Sequence, residues 1–209
     1  MPFLVIVLLT ILFTQGAFAA PSKSQRSLLY QHQRSTFLCD RPFSLEGQIN
    51  TVDTVQWMPI VPLKRLATHF ACYRHKCVNK KGKVQQGLVC CRQDPVFQQL
   101  EHDLHNWVPE TRLLKKQCER YRFAEFLHEE KSGCQIFIDK KNKLIDPPPN
   151  KRGIIARTYL YMKDAYALRL SDAEVQLYMK WHREYPVSEV ERERNERIFQ
   201  IQGTRNRWV

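Results

Sequence analysis

Residues 152–162 read Arg152-Gly153-Ile154-Ile155-Ala156-Arg157-Thr158-Tyr159-Leu160-Tyr161-Met162. Ile155, Tyr159 and Met162 recur at helical spacing, which predicts a helix over 153–168 with an apolar face. Two further helix starts follow. Ser171-Asp172-Ala173-Glu174 is a capping box ahead of Val175, Tyr178 and Trp181. Ser188-Glu189-Val190-Glu191 is a second, leading through Ile198, with Pro186 as the break between the two helices.

Upstream the signals are shorter. Val96, Leu100, Leu104 and Trp107 lie at helical spacing behind Asp94-Pro95, and residues 110–131 are helix-compatible but highly charged. Residues 48–62 are β-branched with turn residues between them, and 135–139 (QIFID) read as a further strand. Residues 79–87 (NKKGKVQQG) form a basic, glycine-containing loop, and 146–150 (DPPPN) a stiff linker. There is no internal repeat. Short strands followed by helices imply one α+β domain over 37–209.

Two segments precede it. Residues 20–36 are polar and aperiodic and read as a flexible tail. Residues 1–19 read as a signal peptide: an apolar run over 3–13, then Ala17-Phe18-Ala19 as the cleavage site. That run is too short to span a bilayer, and no later stretch is apolar enough, so the sequence implies a secreted or periplasmic protein without a stable membrane span.

Seven cysteines, Cys39, Cys72, Cys77, Cys90, Cys91, Cys118 and Cys134, would then meet an oxidising compartment. Cys72 and Cys77 are expected to pair toward Cys90 and Cys91, and Cys118 with Cys134 to close a local loop. Spacing does not fix connectivity, and the odd count leaves one thiol over. A zinc site from Cys72, Cys77, Cys90 and Cys91 is the competing arrangement, disfavoured by loose spacing and compartment.

The chain carries 33 Lys plus Arg against 21 Asp plus Glu, a formal charge of +12, and so attracts polyanions. Lys76, Lys80, Lys81 and Lys83 gather in one loop, Lys116 and Arg120 in the next charged segment, and Arg152 and Arg157 beyond the prolines. These eight are the expected nucleic-acid contacts.

The run 152–162, with Trp181, Tyr185-Pro186-Val187, Glu191-Arg192-Glu193-Arg194-Asn195-Glu196-Arg197-Ile198 and Ile201-Gln202-Gly203-Thr204-Arg205-Asn206, resembles the bacterial endonuclease I family. Gln48-Ile49-Asn50, Trp57, Val61-Pro62, Asp94-Pro95-Val96 and Glu101-His102-Asp103-Leu104-His105-Asn106 extend the resemblance more thinly upstream. It implies a ββα-metal nuclease core of short strands wrapped by helices. It also implies a periplasmic or secreted nuclease in which a carboxylate and an Asn hold one divalent cation, usually Mg²⁺, while a His takes a proton from the attacking water.

Three positions depart from that pattern. Where the family word is Trp-Glu-His-Val-Val-Pro, this chain has Trp57-Met58-Pro59-Ile60-Val61-Pro62. A thioether is a soft, neutral ligand that does not hold Mg²⁺, and Pro59 has neither a side-chain base nor a backbone N–H. The family Asn falls on Lys115, and no Asn lies between Asn106 and Asn142. Losing the base alone costs about 10²–10⁴-fold in rate.

Glu101, His105 and Asn106 are the residual candidates for a rebuilt site, Glu101 and His105 being spaced i, i+4. No metal and no cofactor are expected, except Mg²⁺ if the chain is an active endonuclease with a displaced site. The leading expectation is a catalytically silent homologue that binds nucleic acid, DNA or RNA, or an unidentified protein. The third possibility is a secreted partner-binding protein with no nucleic-acid role.

Overall fold

A computed structural model describes residues 29–30, 34–44, 54–126, 134 and 136–209. The expected signal peptide, most of the expected tail and the expected strand residues 48–53 lie outside the described residues. The part of the tail that is described is packed: Leu29 is buried against Leu104 and Ile198, and Thr36 is buried as well.

Strands and short helices alternate through the first half. β1 (Val55–Pro59) is followed by α1 (Leu63–Ala67), α2 (Ala71–Arg74), β2 (Lys76–Val78), β3 (Val84–Gln86) and α3 (Leu88–Cys91). Then come α4 (Pro95–His102), a 3₁₀ turn (Leu104–Asn106), β4 (Trp107–Thr111) and α5 (Arg112–Cys118). β5 (Arg122–Phe123), β6 (Phe137–Asp139) and β7 (Leu144–Asp146) complete the strands. Three longer helices follow: α6 (Pro149–Tyr166), α7 (Asp172–Glu184) and α8 (Glu189–Gln202).

Among the described residues the strands form three small sheets: β1 with β4 and β2 with β3, both antiparallel, and a three-stranded sheet ordered β5-β7-β6. In the last, β5 runs parallel and β6 antiparallel to β7. The fold is therefore α+β, as expected. The end of the expected basic loop, Val84–Gln86, is strand β3, and 79–83 is the turn of the β2–β3 hairpin. The charged segment from 110 on is not one helix: β4 continues to Thr111 because it pairs with β1 along its whole length.

α6 is the spine of the molecule. From Arg152 to Met162 every residue but Ile154 is buried, so this helix is covered on all sides rather than on one stripe. It packs against α7, with Tyr159 stacked on Tyr178 at 4.4 Å between ring centres. The proline segment starts this helix instead of linking to it: Pro149 stands in its first turn, where a missing N–H removes no intrahelical bond.

Cys77–Cys90 staples the β2–β3 hairpin to α3, and Cys72–Cys91 joins α2 to α3, both within the expected grouping. The third corrects the expected local loop. Cys134 pairs with Cys39, not Cys118, and Cys118 is the buried free thiol. Cys118, the last residue of α5, points into the core, and burial raises its pKa, which keeps it an inert thiol. Among the described residues, no helix is long and apolar enough to cross a membrane.

Candidate active-site region

β1, β4 and α5 make a strand–strand–helix unit in which α5 packs against both strands. The register sets Met58 opposite Val108 and Pro59 opposite Trp107. Met58 has no exposed surface and lies in the main core cluster with Val108, Leu100 and Tyr159. Pro59 is buried too. The position where the resemblance puts a metal-binding carboxylate is thus filled by a thioether sealed from solvent, and the position for the base offers no donor or acceptor atom on its side chain. Lys115, on the same α5, is partly exposed and 4.0 Å from Glu119 one turn on.

Asn106 fixes the chain just beyond Pro59. Its side chain accepts from Val61 N–H at 2.7 Å and donates to Val61 C=O at 3.0 Å, while its own carbonyl accepts from Ile60 N–H at 2.9 Å. Both ends of the amide are engaged, so Asn106 acts as a clamp between the 3₁₀ turn and the end of β1.

Glu101 and His105 do not stand one turn apart on a helix. α4 ends at His102, and Asp103 turns the chain into the 3₁₀ turn by accepting from His105 N–H at 2.9 Å. Glu101 accepts from Arg92 Nε at 2.8 Å, and Trp107 Nε1 donates to its carbonyl. His105 faces away toward the end of α8, with Nε2 donating to Thr204 C=O at 3.1 Å. Burial drives its pKa down to about 4; Arg194 adds to that fall, while Asp103 and the Thr204 carbonyl oppose it. Asp103 is a hub here, accepting from Tyr161 and Tyr166 hydroxyls at 2.7 Å each and from Gln202 Nε2 at 2.9 Å. His105, Asn106 and Asp103 thus hold the 3₁₀ turn to β1, α6 and α8.

The divalent cation implied by the resemblance does not fit these residues. A buried sulfur, a proline and an ammonium at Met58, Pro59 and Lys115 supply no hard oxygen ligand. Among the described residues, no group of three or more His, Cys, Asp or Glu side chains is placed to hold an ion.

The basic candidates divide. Lys76, Lys80, Lys81, Lys83, Lys116 and Arg120 are exposed. The hairpin turn that carries three of them is held by Asn79, whose side chain accepts from Lys81 and Lys83 N–H at 2.9 Å each. Gly82 there has φ +74°, a conformation that suits glycine. Arg152 and Arg157 are different, since both are buried and held by carboxylates. Arg152 bonds Asp146 at 2.7 Å and Glu125 at 3.1 Å, and Arg157 bonds Glu191 twice at 2.6 Å. Both guanidiniums are engaged inside the fold: Arg157 ties α6 to α8, and Arg152 ties α6 to β7 and to Glu125. Sequence reading also missed Arg92, the partner of Glu101, and the exposed run Lys140, Lys141 and Lys143, whose spacing alone marks it as basic.

Comparison with known proteins gives one consistent neighbourhood. The family model described as Endonuclease I matches residues 72–209. A periplasmic deoxyribonuclease of Aeromonas hydrophila is 29% identical over 200 residues, covering 87% of this chain and 80% of the relative. An extracellular deoxyribonuclease of the same species is 28% identical over 207 residues, covering 90% and 86%. Endonuclease-1 of Buchnera aphidicola subsp. Acyrthosiphon pisum is 31% identical over 169 residues, covering 80% and 64%.

Proposed function

The chain belongs to the endonuclease I family, and from that premise we propose that it is a catalytically silent member that has kept a surface for nucleic acid. It is a secreted or periplasmic protein, like the deoxyribonucleases it is similar to. DNA is the polyanion those relatives' names put first.

One observation carries the loss of chemistry: Met58 is wholly enclosed in the core at the place of the metal-binding carboxylate. Pro59 and Lys115 reinforce it. A hydrolytic site needs a water that a base can deprotonate and a cation that stabilises charge building on the phosphate. Residues 58, 59 and 115 provide neither, and Glu101, His105 and Asn106 are engaged in holding the fold. We derive no hydrolytic step from this arrangement.

The binding half of the proposal is supported by the hairpin. Its lysines are exposed, its turn is fixed by Asn79, and Cys77–Cys90 ties it down. A held cluster of cations contacts phosphates without first losing as much chain freedom as a loose one.

Purified oxidised protein should leave supercoiled plasmid intact in Mg²⁺ or Mn²⁺, yet retard it in a gel at low salt and release it at high salt. The Met58→Glu/Pro59→His variant should stay inactive until Lys115→Asn is added. Nicking by the unmodified protein overturns the silent assignment, and absence of retardation at any salt overturns nucleic-acid binding.

A further inference from the structure

The positive charge of this molecule is unevenly answered. Several guanidinium groups find carboxylates: Arg157 with Glu191, Arg152 with Asp146, Arg65 with Glu174, Arg205 with Glu196. Arg120, Arg122, Lys140, Lys141 and Lys143 are all exposed. Among the described residues, none of the five lies within ion-pair distance of a carboxylate.

Topology brings them together. Arg122 opens β5 and pairs with Leu144, the first residue of β7; Asp139, the last residue of β6, pairs with the same Leu144. Arg122, Lys143 and the turn through Lys140 and Lys141 therefore share one end of the β5-β7-β6 sheet. Arg122 N–H donates to Lys143 C=O at 2.9 Å, which fixes the two backbones side by side.

The turn is built, not loose. Asn142 donates to Asp139 from its backbone at 2.9 Å and from its side-chain amide at 2.5 Å, and Lys143 takes a left-handed φ of +56°. Asp139 is the carboxylate at this end, and it is already held by Asn142, whose hydrogen bonds keep its pKa below the usual carboxylate range.

α5 leads into this end from the region of β1 and β4. Lys116 is the fifth residue of α5, and Arg120 lies two residues beyond its end, in the turn that leads to β5. The three strands span about 10 Å at the usual strand spacing, which faces about three phosphates of one strand.

We propose that this end of the sheet is a second phosphate-binding surface, which adds Lys116, Arg120, Arg122 and the 140–143 turn to the contact made by the β2–β3 hairpin. The inference rests on the nucleic-acid reading given above. Its ligand is the phosphodiester backbone of a duplex. Four of its six cations are lysines, which meet phosphates as point charges, so binding there carries no sequence preference.

The test is fluorescence anisotropy of a labelled 20-base-pair duplex, titrated from low to high salt. It compares the unaltered protein, Lys140→Gln/Lys141→Gln/Lys143→Gln, and Lys80→Gln/Lys81→Gln/Lys83→Gln. The turn variant should lower the salt slope by about 2–3, at about 0.9 per lost contact. It should do so equally on duplexes of unrelated sequence, with an unchanged melting temperature. If the unaltered protein binds and the hairpin variant lowers the slope while the turn variant does not, the second surface is wrong and the nucleic-acid reading stands. If the unaltered protein does not bind, both fall. If the turn variant keeps its duplex affinity but loses binding to phosphatidylglycerol vesicles, the turn serves a membrane surface and the proposal is overturned.

Discussion

Glu191, in the first turn of α8, reaches across to α6 and grips Arg157 through Nε and Nη2, both at 2.6 Å, in a pair almost wholly enclosed by protein. This one contact explains why the second capping box closes on one side only. Ser188 accepts from Glu191 N–H at 3.3 Å, but the Glu191 carboxylate is turned inward to Arg157. The first box is complete, since Glu174 bonds back to Ser171 and holds Arg65 as well.

Removing one partner of this pair should be far worse than removing both. Glu191→Ala leaves a guanidinium buried without its counter-charge, which costs about 3–5 kcal/mol. Arg157→Met with Glu191→Leu replaces the pair by apolar volume and should fall within about 1 kcal/mol of the unaltered protein or above it. Urea unfolding of the three proteins measures the difference; equal losses in the single and double variants would show that the charge is not the issue.

Gly153 is where α6 admits the rest of that arrangement. A Cβ there would lie 2.5 Å from Arg157 Nη2 and 2.6 Å from the carbonyl oxygen of Tyr185. Gly153→Ala gains up to about 1 kcal/mol in helix propensity. The clash with a backbone oxygen opposes this with about 1–3 kcal/mol. The net effect should be a lower melting temperature, and a rise would mean that the α7–α8 connection shifts freely.

Much of the helical half was legible because its signals are local. Two capping boxes and the spacing of Ile155, Tyr159 and Met162 act within a turn or two of chain. The rest depends on partners far away in sequence. Thr111 and Glu110 are strand residues because β1 pairs with them, and no local feature says so. Cys39 meets Cys134 across 95 residues, so only the folded chain brings them together. Arg152 and Arg157 looked like surface charge because their carboxylates, Asp146 and Glu191, belong to other elements. At the candidate site, the identity of Met58 and Pro59 was plain, but their enclosure, and the engagement of Asn106 with Val61, needed the fold.

His105 should make stability fall with acid. The folded state, where burial outweighs Asp103, holds its pKa down to about 4 against an ordinary 6.5. Above pH 6.5 the imidazole is neutral in both states and its contribution to stability is full. As the pH falls from 6.5 toward 4, the unfolded chain takes the proton first and stability is lost. The loss from this residue is on the order of 3 kcal/mol across that window. His105→Gln cannot titrate, so its unfolding free energy should decline less steeply between pH 6.5 and 4. Parallel curves for the two proteins would remove His105 as the cause.

Met58→Glu probes what the enclosed thioether stands in for. A carboxylate placed where no surface is exposed must either stay charged without water or take up a proton, and either route costs several kcal/mol. The single variant should therefore be less stable than the unaltered protein, with the loss easing as the pH drops and the new acid becomes neutral. In Met58→Glu/Pro59→His/Lys115→Asn, oxygen ligands return together and the competing ammonium is gone. Mg²⁺ should then bind the folded state alone and restore about 2.7 kcal/mol at a hundredfold excess over its Kd. The readout is a melting temperature that rises with Mg²⁺ in the triple variant and stays flat in the unaltered protein. A Mg²⁺-dependent rise in the unaltered protein would mean that hard ligands are assembled elsewhere in the fold, and that Met58 marks no loss.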